Sequence, residues 1–156
     1  MMSTYLFFLS HRFDEAIHQG KKTLEMFPES GTTYHWIGEA YEAKGMNDQA
    51  MDAYLKAKAF GGVPPQEVVV FKRAYEESGM QGYYQEQLKT HRTTRLGQCW
   101  KVLVYRHLKE KEQTLGLLDW SIQNHCEGLQ TLKVDPNYDH LREDPRFQQM
   151  LARLQL

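Results

Sequence analysis

The chain has the length, composition and charge of an ordinary globular domain. Its 156 residues are 41% hydrophobic and 25% charged, which suffices for one domain with a buried core. The formal net charge of −1 provides no general positive field to attract nucleic acid. The longest apolar run, residues 5–9, is too short to span a membrane or to act as a secretory signal. We therefore expect a cytoplasmic protein that binds neither nucleic acid nor membrane.

The chain begins with two predicted helices, an apolar one over about residues 3–10 and an amphipathic one that ends before Pro28. Proline cannot continue a helix and marks its exit. Three aromatic side chains of the first helix, Tyr5, Phe7 and Phe8, make it too apolar to face water alone. We expect them either to contact a preceding part of a longer protein or to form the interface of a homodimer.

One seven-residue segment occurs twice in the middle of the chain. AYEAKGM at residues 40–46 is followed after 34 residues by AYEESGM at residues 74–80, and five of the seven letters agree. Around the first copy, bulky and small side chains have helical spacing on two successive helices: Tyr34, Ile37, Gly38, Tyr41, Ala50, Tyr54 and Ala57. The small residues Gly38 and Ala50 predict that these two helices approach closely.

Turn signals separate the elements of this region. Gly45 predicts the end of one helix, and Asn47 or Asp48 predicts the N-cap of the next. Pro64 and Pro65 open a further helix, since proline is tolerated in a first turn. Apolar stripes mark this helix and the two that follow residue 95: Val68, Phe71, Tyr75, Trp100, Leu103, Val104, Leu108, Leu115, Leu118 and Ile122. A mostly polar helix over residues 83–95 lies between them.

The 34-residue period and its pattern of bulky and small positions resemble the tetratricopeptide repeat (TPR), a pair of antiparallel helices. The resemblance implies an all-α fold, an α-solenoid of about three and a half helix pairs in a single domain. Its units would cover residues 1–30, 31–63, 64–95 and 96–126, followed by a C-terminal cap at residues 127–156. Two positions depart from the pattern. Lys72 stands where a small residue belongs and Tyr84 where alanine belongs, so we expect looser packing in the third pair.

The last 25 residues predict a short capping helix. Asp135–Pro136 and Asp144–Pro145 each combine an N-cap with proline at the first helical position. An apolar stripe follows at helical spacing: Phe147, Met150, Leu151 and Leu154. We expect Arg142 or Arg146 to pair with Asp135, Asp139 or Asp144 and so to hold the cap in place. A calcium site among these aspartates is disfavoured, because the alternating oxygen ligands and glycine turn are missing.

This ending, LKVDPNYDHLREDPRFQQMLARLQL at residues 132–156, resembles the end of a group of bacterial TPR proteins with the pattern KVDPxxDxLRxDPRFxxLL. The segment GYYQEQL at residues 82–88 is also similar to a helix of that group. The resemblance implies that the chain is a fragment or relative of a larger bacterial regulatory protein. Any catalytic or DNA-binding activity would then lie in other parts of that protein.

The cysteines and histidines predict little chemistry. Cys99 and Cys126 are interpreted as reduced thiols of a cytoplasmic protein. The histidines, at positions 11, 18, 35, 91, 107, 125 and 140, form no metal-binding motif. We therefore expect no metal and no cofactor. A basic cluster of Lys89, His91, Arg92 and Arg95 is interpreted as favourable charge at a helix C-terminus, with binding of a phosphate or an acidic partner as the alternative.

The TPR resemblance also implies a partner-binding groove lined by the first helix of each pair. Carried onto this chain, the groove positions are Thr32, His35, Glu39 and Glu42, then Gln66, Val69, Arg73 and Glu76, then Leu96, Cys99, Leu103 and Arg106. The Lys and Asn residues that bind a C-terminal carboxylate in some chaperone-binding members are absent. An extended peptide or a helix of another protein is the expected ligand.

Three functions follow from these observations. The favoured one is a non-enzymatic protein–protein interaction module that binds a peptide or helix in its groove. The alternative is a scaffold that dimerises through the apolar first helix. The third is an enzyme with a cryptic site at Cys99 and His107, which lie on one predicted helix.

Overall fold

The computed structural model describes residues 2–90 and 95–156, with the side chains of residues 4–89 and 97–156, and no strand occurs among them. The helices are α1 (Met2–Leu9), α2 (Phe13–Met26), α3 (Gly31–Ala43), α4 (Asn47–Phe60), α5 (Pro65–Thr90), α6 (Arg95–Leu108), α7 (Lys111–Gln123) and α8 (Pro145–Arg153). Two short 3-10 helices, Leu129–Thr131 and Pro136–Leu141, precede α8. The all-α prediction is confirmed. None of the described helices has the length and apolar character needed to cross a bilayer.

The chain divides into two compact units, Met1–Tyr83 and Tyr84–Leu156, which we call unit 1 and unit 2. The boundary falls inside α5, whose path is interrupted at Ser78 and Gly79. Gly79 has φ 61° and ψ −153°, a conformation that is open almost only to glycine. This break separates the two helices that the repeat predicts for the third pair. The regular solenoid stays a prediction.

The apolar side of α1 is packed inside unit 1. Phe8 is fully buried, with its ring 5.7 Å from that of Trp36, and Tyr5 lies 4.3 Å from the same indole. The guanidinium of Arg12 lies 4.6 Å from the ring of Phe7. The expectation of an open oligomer face is therefore corrected for Phe8, whereas Tyr5 and Phe7 are partly buried against α2 and α3. Leu6, with 54% of its surface exposed, remains open.

The close contact predicted between α3 and α4 is confirmed. A Cβ atom on Gly38 would lie 2.6 Å from a ring carbon of Tyr54, so only glycine leaves room for that ring. Gly45, with φ 73°, follows the end of α3, as predicted. The predicted N-cap of α4 is wrong, because Met46 holds that position without a side-chain hydrogen bond.

Unit 2 places α6 and α7 against the C-terminal segment, and the short C-terminal helix predicted from the sequence is present as α8. The carboxylate of Asp135 accepts a hydrogen bond from the backbone N–H of Asn137, and that of Asp144 from the backbone N–H of Arg146. Proline follows each aspartate in the first turn. The apolar stripe of α8 meets the core of the unit: Phe147, Met150 and Leu151 are buried and Leu154 is partly buried.

The ion pairs expected in the cap are also present. Arg142 Nε donates to Asp139 at 2.7 Å. Arg146 donates to Asp144 at 3.0 Å and to Glu112 of α7 at 2.7 Å. Arg146 thus connects the start of α8 with the start of α7.

The prediction of two reduced cysteines is wrong. Cys99 of α6 and Cys126, three residues after α7, form a disulfide whose Cα atoms are 5.8 Å apart. The prediction considered the compartment and the small number of cysteines, whereas bond formation depends on the distance between two Cα atoms. Cys126 is brought to α6 by the turn that ends α7. The expectation of a cytoplasmic location loses the support that reduced thiols would have provided.

Candidate functional site

The four groove residues predicted on α3 have very different exposures. Thr32 is exposed and His35 is partly buried. Glu39 is buried, and its carboxylate lies 3.6 Å from His35 Nε2. Glu42 is partly buried and accepts a hydrogen bond from the hydroxyl of Tyr54 at 2.7 Å. Glu39 is therefore removed from any contact surface, and α3 offers mainly Thr32 and His35 to a partner.

The four groove residues predicted on α5 are all exposed: Gln66, Val69, Arg73 and Glu76. Their spacing places all four on one side of the helix. This side is opposite the one on which Phe71 is buried. Val69 exposes 55% of its surface and the adjacent Val70 exposes 46%, so an apolar pair lies among charged side chains. We call this set, with Val70, the α5 face.

The groove residues predicted on α6 are mostly used inside unit 2. Cys99 is in the disulfide, and Leu103 packs against the unit's core. Arg106 is buried and donates to Asp135 at 2.6 Å, so it is a structural ion-pair partner rather than an exposed contact. The side chain of Leu96 lies outside the described residues.

Buried aromatic rings and the partly buried Lys58 of unit 1 contact α5 on the side away from the α5 face. Tyr83, on the second half of α5, stacks on Tyr54 of α4 at 5.5 Å between ring centroids. Lys58 Nζ lies 4.1 Å from the ring of Phe71, and burial lowers the pKa of this lysine to about 8. Burial, with the nearby charges of Glu42 and Glu39, raises the pKa of Tyr83. These contacts link both halves of α5 to α4.

The predicted cryptic enzyme site is not assembled. Cys99 carries no free thiol, and His107 stacks on Tyr84 with 4.5 Å between ring centroids. Among the residues that the structure describes, no three His, Cys, Asp or Glu side chains cluster to hold a metal. In the basic cluster, Lys89 pairs with Glu86 at 2.6 Å, and the side chains of His91, Arg92 and Arg95 lie outside the described residues.

Unit 2 also contains a cavity of about 690 Å³ that sequence reasoning missed. We call it the disulfide cavity because Cys99 and Cys126 both line it. The remaining described lining comes from α6, the end of α7 and the cap: Trp100, Val102, Leu103, Ser121, His125, Glu127, Gly128, Leu129 and Tyr138. The sequence analysis had indicated this region only by placing Cys99 and Leu103 among the predicted groove positions.

Comparison of the chain with protein-family models, with curated proteins and with solved structures found no match.

Proposed function

We propose that the chain is a non-enzymatic, TPR-like interaction module that binds a peptide or helix of another protein on unit 1. The observation that carries the proposal is the α5 face, where five neighbouring side chains are exposed and two of them are valines. Apolar side chains grouped among polar ones on a rigid helix are typical of protein-binding surfaces. The resemblance of residues 132–156 to bacterial TPR regulators supports a role as part or relative of a larger regulatory protein.

The chemistry of the α5 face indicates the kind of partner. Val69 and Val70 offer apolar surface, and Arg73 and Glu76 offer one charge of each sign. The carboxylate of Glu76 lies 3.6 Å from Lys72 Nζ in an exposed pair, which water screens strongly. We infer a segment with an apolar anchor residue followed by an acidic one, since an acidic residue would pair with Arg73. Thr32 and His35 on α3 would supply further polar contacts.

Peptide display selection on the purified chain tests this function. Peptides selected from a random library are measured by fluorescence anisotropy against the wild type, Val69→Lys and Arg73→Glu. We expect each substitution to weaken binding at least about tenfold, because a contact worth about 1.4 kcal/mol is lost. Val134→Lys is the matched control, since Val134 is a similarly exposed valine, at 45%, in unit 2. Equal binding by the wild type and both α5 variants would refute the proposal.

The self-association alternative now depends on little exposed surface, since among residues 4–9 Phe8 is buried and Leu6 is the one large apolar side chain that is exposed. Sedimentation velocity over a range of concentrations tests it. We expect a constant monomer mass. A dimer that dissociates on Leu6→Asp substitution would favour the scaffold function instead.

A further inference from the structure

We propose that the disulfide cavity of unit 2 is a binding site for an uncharged, largely apolar small molecule that carries one hydroxyl or carbonyl group. This site is independent of the α5 face in unit 1. The proposal depends on the volume of the cavity, on the composition of its wall and on one buried hydroxyl without a partner.

The cavity has the size and wall of a ligand site. Its volume of about 690 Å³ falls within the roughly 300–1,000 Å³ that is usual for drug-sized ligands. Aliphatic and aromatic groups supply most of the described wall: Trp100, Val102, Leu103, Leu129, Tyr138 and the disulfide. Trp100 exposes 49% of its surface, so a ligand that covers this indole would bury further apolar area.

Ser121 supplies the polar feature of the site. Its side chain is completely buried, and its Oγ makes no hydrogen bond with any described residue. A buried hydroxyl without a partner costs free energy, which a ligand oxygen at the cavity wall would recover. The hydroxyl is closed to solvent in this conformation, so the ligand reaches it through small side-chain shifts of the kind common on binding.

The charges around the cavity favour a neutral ligand. The described wall contains the carboxylate of Glu127 and the imidazole of His125, and neither lysine nor arginine. The buried Arg106 is already paired with Asp135. With that imidazole neutral, an anionic ligand would lose its hydration without gaining a counter-charge from the described wall.

Three probes that differ in one group test the proposal by calorimetric titration of the oxidised full chain: naphthol, naphthalene and naphthoate. Naphthol has the hydroxyl, naphthalene lacks it and naphthoate is anionic. We expect naphthol to bind about two- to tenfold more tightly than naphthalene. This ratio of affinities corresponds to the usual net contribution of one hydrogen bond. We expect naphthoate to bind most weakly. Absence of naphthol binding up to its solubility limit, or tighter binding of naphthoate, would overturn the proposal.

Two variants locate the site. Ser121→Ala should remove the preference for naphthol while leaving naphthalene affinity within about twofold, and Ser78→Ala, at an exposed serine of unit 1, is its matched control. Leu103→Trp should narrow the cavity and weaken the binding of both neutral probes. An unchanged naphthol preference in Ser121→Ala would contradict the assigned contact.

Nuclear Overhauser contacts in the wild type make the result independent of whether a variant folds. Bound naphthol should contact the methyl groups of Val102, Leu103 and Leu129, and contacts only to methyl groups outside the described wall would refute the location. Since the peptide measurements concern α5, failure of either proposal can be recognised separately.

Discussion

At the scale of single residues, Asp135 shows how one side chain secures the C-terminal cap. One carboxylate oxygen accepts from the backbone N–H of Asn137 at 3.0 Å, and the other accepts from Arg106 at 2.6 Å. Both members of the ion pair are buried. Removal of one partner from such a pair is costly, because the other charge remains in the interior without compensation.

Asp135→Asn tests this pair while preserving the N-cap acceptor, since asparagine is an equally good cap. We expect the free energy of unfolding to fall by about 3 to 5 kcal/mol, owing to the buried charge of Arg106. Urea unfolding followed by circular dichroism measures the change. Asp139→Asn is the control, because Asp139 pairs with Arg142 at an exposed site, and it should cost less than about 1 kcal/mol. Equal effects of the two substitutions would show that burial of the Asp135–Arg106 pair does not increase its effect on the free energy of unfolding.

Gly38 offers a second residue-scale prediction. Gly38→Ala places a Cβ atom 2.6 Å from the ring of Tyr54, and we expect a loss of about 1 to 3 kcal/mol from overpacking. Gly116→Ala is the matched control within α7, because its Cβ would meet nothing within 4 Å. That substitution should stabilise the chain by up to about 1 kcal/mol through helix propensity. Thermal unfolding of both variants measures the difference, and stabilisation by Gly38→Ala would mean that Tyr54 moves aside freely.

At the scale of elements, a disulfide and an ion pair join helices of unit 2 that are distant in the sequence. Cys99 of α6 is bonded to Cys126, and Arg146 of α8 donates to Glu112 of α7.

The side-chain hydrogen bonds from Arg146 and Lys111 hold the pKa of Asp144 well below its usual range. A carboxyl group whose pKa is depressed by folding stabilises the fold above its unfolded pKa and loses that contribution as the pH falls.

Reduction of the disulfide should destabilise unit 2. The bond closes a loop with a sequence separation of 27, for which chain entropy predicts a contribution of about 3 to 4 kcal/mol. Denaturant unfolding with and without a phosphine reductant measures it. The double variant Cys99→Ala, Cys126→Ala is the control and should not respond to the reductant. An identical midpoint for the oxidised and reduced wild type would contradict a stabilising role for this bond.

At the scale of the whole molecule, buried ionisable groups make stability depend on pH although the net charge is only −1. Lys58 is the clearest case on the alkaline side, because burial lowers its pKa to about 8. Its unfolded pKa is near 10.4. Between these values the unfolded chain binds more protons than the folded chain, so stability rises with pH.

We therefore expect the free energy of unfolding to increase by about 1 kcal/mol between pH 8 and about pH 9, before tyrosines with the usual pKa of about 10 ionise appreciably. Denaturant unfolding at several pH values measures the slope. Lys58→Met should flatten it, since methionine keeps an unbranched apolar chain beside Phe71 and does not titrate. Lys56→Met, at an exposed lysine of the same helix, should retain the wild-type slope. A slope unaffected by Lys58→Met would assign the pH dependence to other groups.

The sequence by itself determined the features that depend on neighbours within a few positions. The turn signal at Gly45 was predicted, and this glycine has positive φ. Two Asp–Pro pairs predicted caps that form as expected. Helical periodicity identified the buried stripe of α8. These features follow from local hydrogen bonds and side-chain spacing, so no knowledge of distant residues was needed.

Only the tertiary structure decided which of the positions predicted to be exposed are in fact buried. Glu39 and Arg106 occupy groove positions in the repeat pattern, yet both are buried. Arg106 is paired with an aspartate 29 positions away. The disulfide and its cavity likewise depend on how α6, α7 and the cap fold together. Helical periodicity specifies the face on which a side chain lies, whereas burial and bonding depend on what the rest of the chain brings to that face.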